Sequence, residues 1–102
     1  MLTYRFTSEA QNDLITIRQY TIREWGIAQA TAYLRGLRDI VKQLASSPDI
    51  GTKHRDIDND VLSFQYKSHL IYYTHTDQQL VVFGVLHKRT VPSLHLSDRN
   101  QK

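Results

Sequence analysis

Seven apolar residues between Ala30 and Leu44 constrain this chain more than any other feature. Ala30, Tyr33, Leu34, Leu37, Ile40, Val41 and Leu44 recur at the i, i+3, i+4, i+7 spacing of a helix with one wide apolar stripe. Such a stripe has to be buried, so the rest of the chain must supply an apolar surface to receive it. The helix stops at Ser46-Ser47-Pro48, because proline disfavours helix in the residue before it. Upstream, Ala10, Leu14, Ile17 and Thr21 share one face of another helix, with Glu9, Asp13 and Arg18 largely off it. Ser8 followed by Gln11 reads as a capping box at its start. Gly26 is suited to supply a left-handed residue at its end. A link as short as Trp25-Gly26 requires the two helices to lie antiparallel, with Trp25 filling the gap at the corner.

The remaining pattern has period two. Leu2 to Phe6 alternates as a short strand. Thr52 to Ile57 reads as a weak strand closed by the turn signal Asp58-Asn59-Asp60. Val61 to Tyr66 and His69 to Thr74 flank a turn at Lys67-Ser68. Leu80 to Leu86 is apolar on both faces, which predicts an internal strand covered on both sides. Pro92 opens an irregular or one-turn segment, and Ser97 to Lys102 reads as a polar tail that frays. The order is β-α-α-β-β-β-β. A helical hairpin must then cover one face of a mainly antiparallel sheet, a two-layer α+β fold whose other face is open. With 102 residues there is room for a single domain spanning 1–102.

Thirteen basic against ten acidic residues give a net charge of +3, which suits an acidic protein or a nucleic acid without choosing between them. The absence of cysteine removes disulfides, thiolate metal sites and a thiol nucleophile, and fits a reducing cytosol. The opening MLTYRFTSEA lacks the apolar core of a signal peptide, and no run approaches the roughly 20 apolar residues of a membrane span. A cytoplasmic location is expected. His54, His69, His75, His87 and His95 are scattered without metal-ligand spacing. On one strand the six residues between His69 and His75 amount to about 20 Å. Neither a metal nor a cofactor is expected. Gly-rich phosphate loops and Ser-His-Asp spacings are likewise absent from the sequence.

Several short motifs, in order, resemble the ParE toxins of the RelE/ParE superfamily. Phe6, Ala10, Asp13, Leu14, Ile17, Tyr20 and Trp25-Gly26 are similar to the first helix and corner of those toxins. Gln29-Ala30-x-x-Tyr33 and Leu44-Ala45-x-x-Pro48-x-x-Gly51 resemble the second helix and its exit. Ser68 to Tyr73 resembles the penultimate strand, and Val85-Leu86-His87-Lys88-Arg89 with His95-Leu96 the C-terminal signature. The resemblance runs from about Leu2 to Leu96. It implies a toxin neutralised by a small antitoxin in a hetero-oligomer that meets operator DNA only through the antitoxin. It also implies a poison of DNA gyrase that stabilises the cleaved-DNA complex by binding, without a chemical step of its own. The RelE branch cleaves mRNA on the ribosome instead, so the fold does not decide the activity.

Side chains divide these readings. A metal-free ribonuclease needs a proton acceptor, a proton donor and cations at the phosphate, for which Arg55, Lys67, His87, Lys88, Arg89 and His95 are the candidates. That set is sparse beside the dense Lys and Arg of RelE nucleases, and no Tyr follows Tyr73. The binding reading is preferred, with no catalytic residue. The ribonuclease, and a non-toxic relative that only binds antitoxin, are the alternatives. His87, Lys88, Arg89 and His95, with Arg99 and Lys102 beside them, are expected to face the target. Tyr72 and Tyr73 point to opposite faces, so one of them, with Phe64 or Tyr66, is expected to form an exposed patch for the antitoxin. Trp25, Gly26, Leu34 and Leu37 are expected to be structural.

Overall fold

The computed structural model describes residues 1–96 and Arg99. Its strands and helices are β1 (Thr3–Phe6), α1 (Ser8–Trp25), α2 (Ile27–Ser46), β2 (Thr52–Lys53), β3 (Leu62–Tyr66), β4 (His69–His75), β5 (Gln79–His87) and α3 (Ser93–Leu96), with a 3₁₀ turn at Pro48–Ile50. One five-stranded sheet forms in the order β1-β5-β4-β3-β2. Its ladders are antiparallel except for β1 alongside β5. The element order and the two-layer α+β architecture agree with the sequence reading.

The helix starts one residue earlier than the capping box suggested. Thr7, not Ser8, is the N-cap, and its hydroxyl accepts the Ala10 N–H at 3.2 Å. Gln11 instead donates to the Phe6 carbonyl at 3.2 Å. Both Thr7 and Ser8 have capping chemistry, and the strand exit selects the first: the Thr7 N–H bonds the Val82 carbonyl at 2.9 Å, extending the β1–β5 ladder. At the corner, Gly26 has φ 94° and ψ 169°, an extended conformation of positive φ rather than the left-handed helical one. This single residue caps α1 through its N–H to the Ile22 carbonyl, and its own carbonyl receives the Ala30 N–H. The turn therefore needs no filler, and Trp25 is 72% exposed. It does not fill the corner as expected, whereas Leu37 is fully buried and Leu34 packs against the core.

Leu37, Val41 and Leu44 from α2 and Ala10, Leu14 and Ile17 from α1 pack on Leu62, Ile71, Tyr73, Leu80, Val82 and Val85. The second face is not open. Val61, Tyr72, Phe83 and Leu96 form a smaller cluster there, with Ile57, Leu70 and Leu86 against it. Two segments make this cover. Of the predicted strand Thr52–Ile57 only Thr52–Lys53 forms; residues 54–57 instead join the predicted turn at 58–60, where the His54 carbonyl accepts the Ile57 and Asp58 N–H groups and Ile57 packs beneath. α3 brings in Leu96, and Gly84 leaves space for it, since a Cβ there would lie 2.7 Å from a Leu96 methyl. β5 is internal and buried from Leu80 to Val85, as its double-sided apolar pattern predicted.

The segment 97–102 was expected to fray; apart from Arg99 it lies outside the described residues. Arg99 itself is anchored. Its guanidinium grips both Asp13 carboxylate oxygens, at 2.7 and 3.2 Å, and donates to the Phe83 carbonyl at 3.0 Å. Asp13 also accepts the Val85 N–H at 2.9 Å. β1 pairs with β5 only as far as Val82, so a helix carboxylate and a C-terminal arginine satisfy the edge that β1 leaves uncovered.

Candidate functional site

The β3–β4 turn and the exit of β5 meet at one end of the sheet. Tyr66 pairs with His69, His69 with His87, and the Lys88 N–H reaches the Ser68 carbonyl at 2.8 Å. The hairpin register thus gathers Lys67, His69, His87, Lys88 and Arg89. Lys67 adopts a positive φ of 51°, uncommon for a side chain with a Cβ. Its ammonium lies 5.7 Å from the centre of the Tyr33 ring and 5.5 Å from that of Tyr66, a cation–π placement that fixes it in front of α2.

Behind Lys67, the Tyr33 hydroxyl is 2.6 Å from His69 Nδ1. Burial, and then the neighbouring His87 ring, lower the His69 pKa to about 4, so its imidazole is neutral at neutral pH and accepts the phenol proton. Burial raises the Tyr33 pKa. The His69 and His87 rings meet edge-on, centres 5.6 Å apart. His87 is exposed and its Nδ1 accepts the Arg89 N–H at 3.2 Å.

From this end a groove of roughly 710 Å³ runs between α1 and β5. α1 lines it with Ile17, Tyr20, Thr21 and Trp25, α2 with Gln29 and Tyr33, and the strands with Ser68, His69, Val85, Leu86 and His87. Tyr20 is 55% exposed at its mouth and carries the Arg23 guanidinium over its ring. Asp13, paired with Arg99, closes the far end.

Several expected site residues change place. Tyr72 and Tyr73 do point to opposite faces, but both faces are covered and both rings are buried. Tyr66 is buried too, donating to the Tyr33 carbonyl at 2.9 Å, and Phe64 packs half-buried against the helix-side core. The expected exposed patch of Phe64, Tyr66 and Tyr72 or Tyr73 is therefore absent, and the accessible aromatics are Trp25 and Tyr20. Of the target-facing set, His87, Lys88 and Arg89 are exposed together, and His95 is exposed on α3. Arg99 turns inward to Asp13, and Lys102 lies outside the described residues. Arg55 sits beyond β2, at the opposite end of the sheet from Lys67.

The fold also assembles a serine–histidine–aspartate row that the sequence spacing did not suggest. His54 Nε2 lies 2.6 Å from Ser63 Oγ, and His54 Nδ1 lies 3.9 Å from Asp56. Ser63 is buried and 3.9 Å is too long for the histidine–carboxylate bond, so the row ties the 54–60 turn to β3 and reaches no substrate. Among the described residues no cluster of three or more potential metal ligands occurs. No described helix is long and apolar enough to cross a membrane.

A family model described as the ParE toxin of the type II toxin–antitoxin system parDE matches residues 4–92. The chain belongs to the ParE toxin family. This ParE family member is 27% identical to Toxin ParE1 of Caulobacter vibrioides over 96 residues, 94% of this chain and 99% of that one. It is 32% identical to Toxin ParE1 of Mycobacterium tuberculosis over 87 residues, covering 84% and 89% of the two chains. A solved chain of a chromosomal ParDE TA system from P. aeruginosa superposes with a TM-score of 0.73 at 15% identity, over 85% of this chain and 96% of that one, which establishes likeness of fold. Asp13, Trp25, Tyr33 and the 85–89 segment all lie inside the matched range.

Proposed function

We propose that this chain is the toxin of a type II toxin–antitoxin pair that acts by binding, with DNA gyrase as its target and no chemical step of its own. The groove beside α1 carries this reading. It is wide, apolar along Ile17, Val85 and Leu86, and rimmed by exposed Trp25 and Tyr20, as a protein-binding surface is. Arg23 and Lys67 stand over the groove residues Tyr20 and Tyr33, so the occupant is an acidic amphipathic segment, which we take to be the antitoxin. His87, Lys88 and Arg89 at the groove end serve the target, with His95 on α3 as an outlying contact.

The proton-transfer groups support binding over cleavage. His69 is neutral and tied to Tyr33, His87 has one nitrogen engaged by backbone, and Arg55 lies at the wrong end of the sheet. Induced expression should give cleaved plasmid and an SOS response with mRNA intact. Cut mRNA without DNA damage would replace this reading with the ribonuclease one, and neither effect would leave a non-toxic antitoxin binder. Reversing charge at Lys88 and Arg89 should abolish killing while antitoxin capture persists. Undiminished killing would remove these residues from the target surface.

A further inference from the structure

Charge is separated along the strand axis. Asp49, Asp56, Asp58, Asp60 and Asp77 occupy the loops at one end of the sheet, outnumbering Lys42, Lys53 and Arg55 there. Lys67, Lys88 and Arg89 occupy the other end, exposed and adjacent through the Lys88–Ser68 bond. Among the described residues none of these three forms an ion pair. The groove that their neighbours Ser68 and His87 line also carries the exposed Trp25 and Tyr20 rings. Lys67 keeps an unfavourable backbone conformation in which its charge is fixed over two rings rather than left to swing in solvent.

We infer that this end of the molecule is a binding site for single-stranded nucleic acid, independent of any protein target and so beyond the function proposed above. Lys67, Lys88 and Arg89 take consecutive phosphates, His87 donates from its free ring nitrogen, and Trp25 gives an unpaired base a stacking surface. Cations beside flat exposed rings are the pattern by which unpaired strands are held without sequence preference. An acidic peptide would meet the same charges; polyglutamate supplies those carboxylates without any ring to stack on Trp25, and so separates charge from stacking.

The test is fluorescence anisotropy of the full chain with a labelled 15-nucleotide oligothymidylate, its uridylate counterpart, a 15-base-pair duplex and polyglutamate. Binding of either single strand is expected, with affinity falling with salt at a log–log slope of about −2, as for three phosphate contacts. Replacing Lys67, Lys88 and Arg89 together by Gln should bring that slope close to zero. Trp25→Ala should weaken binding about tenfold or more at unchanged slope, since stacking releases no counterions. Neutralising Lys53 and Arg55, at the opposite end, should leave binding intact. The inference is overturned by the absence of binding at 50 mM salt, by equal or tighter binding of duplex, by polyglutamate binding alone, or by equal loss in the Lys53/Arg55 variant. A failure here leaves the gyrase reading standing, because that reading is tested by plasmid cleavage.

Discussion

The two faces of the sheet are closed by different means. On the helix side, two long helices lay down a periodic apolar stripe, and the cover is made of many contacts of one kind. On the other side a four-residue helix and a turn cover Val61, Tyr72 and Phe83 with little more than Leu96 and Ile57. That thin cover is anchored by Arg99, which reaches around the β5 edge to Asp13 on α1. Apolar area closes the first face; a charged hydrogen-bonded pair helps close the second. The same Asp13 also ends the groove beside α1, so the second face and the candidate site share a residue.

The largest loss belongs to the helix side. Leu37→Ala, at a fully buried position, should cost about 3–4 kcal/mol, read as a lower urea midpoint at unchanged slope. A cost under about 1 kcal/mol would mean that α2 does not carry the core. Next comes Asp13→Ala, which strips the Arg99 guanidinium and the Val85 N–H of their acceptor and should cost about 2–3 kcal/mol. In a double-mutant cycle with Arg99→Ala the two losses should be far from additive. Additive losses would show that the arginine does not hold the second face.

Sequence patterning read the first face and missed the second for a physical reason. Helical periodicity reports burial directly, so Leu14, Ile17, Leu37, Val41 and Leu44 were visible at once. Alternation in β4 correctly sent Tyr72 and Tyr73 to opposite sides, but alternation does not reveal whether a side is covered. The cover comes from Leu96 and Arg99, some 25 residues later. Trp25 was misread for the converse reason: an aromatic at a corner looks like a filler until Gly26 is seen to make the turn alone. At the candidate site, the meeting of Lys67 with His87, Lys88 and Arg89 was legible in principle, since a hairpin puts the start of β4 beside the end of β5. The Tyr33–His69 bond was not, because the apolar stripe assigns Tyr33 wholly to the core.

Acid should probe the helix-covered face at its basic end. In the unfolded chain His69 takes a proton near pH 6.5, whereas in the fold, buried against Tyr33 and beside His87, it does so only near pH 4. Between these values the unfolded state binds more protons, so the stability present above pH 6.5 is lost as pH falls toward 4. Solvent screening at the half-buried ring leaves this at about 1–2 kcal/mol. His69→Gln should flatten that part of the stability profile; an unchanged slope would mean that the imidazole is not held neutral against α2.

The smallest stability effect is expected at the most conspicuous side chain. Trp25 lies outside both clusters, so Trp25→Ala should move the unfolding free energy by no more than about 0.5 kcal/mol. Binding should respond in the opposite sense, because a tryptophan at a groove mouth is the kind of residue on which interface energy concentrates, and its loss should cost about 2 kcal/mol or more in antitoxin affinity. Measuring both on one variant separates fold from function at a single position. A destabilisation above about 1 kcal/mol with antitoxin affinity unchanged would make Trp25 a part of the scaffold after all. The groove would then have lost its anchor, and the open surface of this molecule would have to be sought elsewhere.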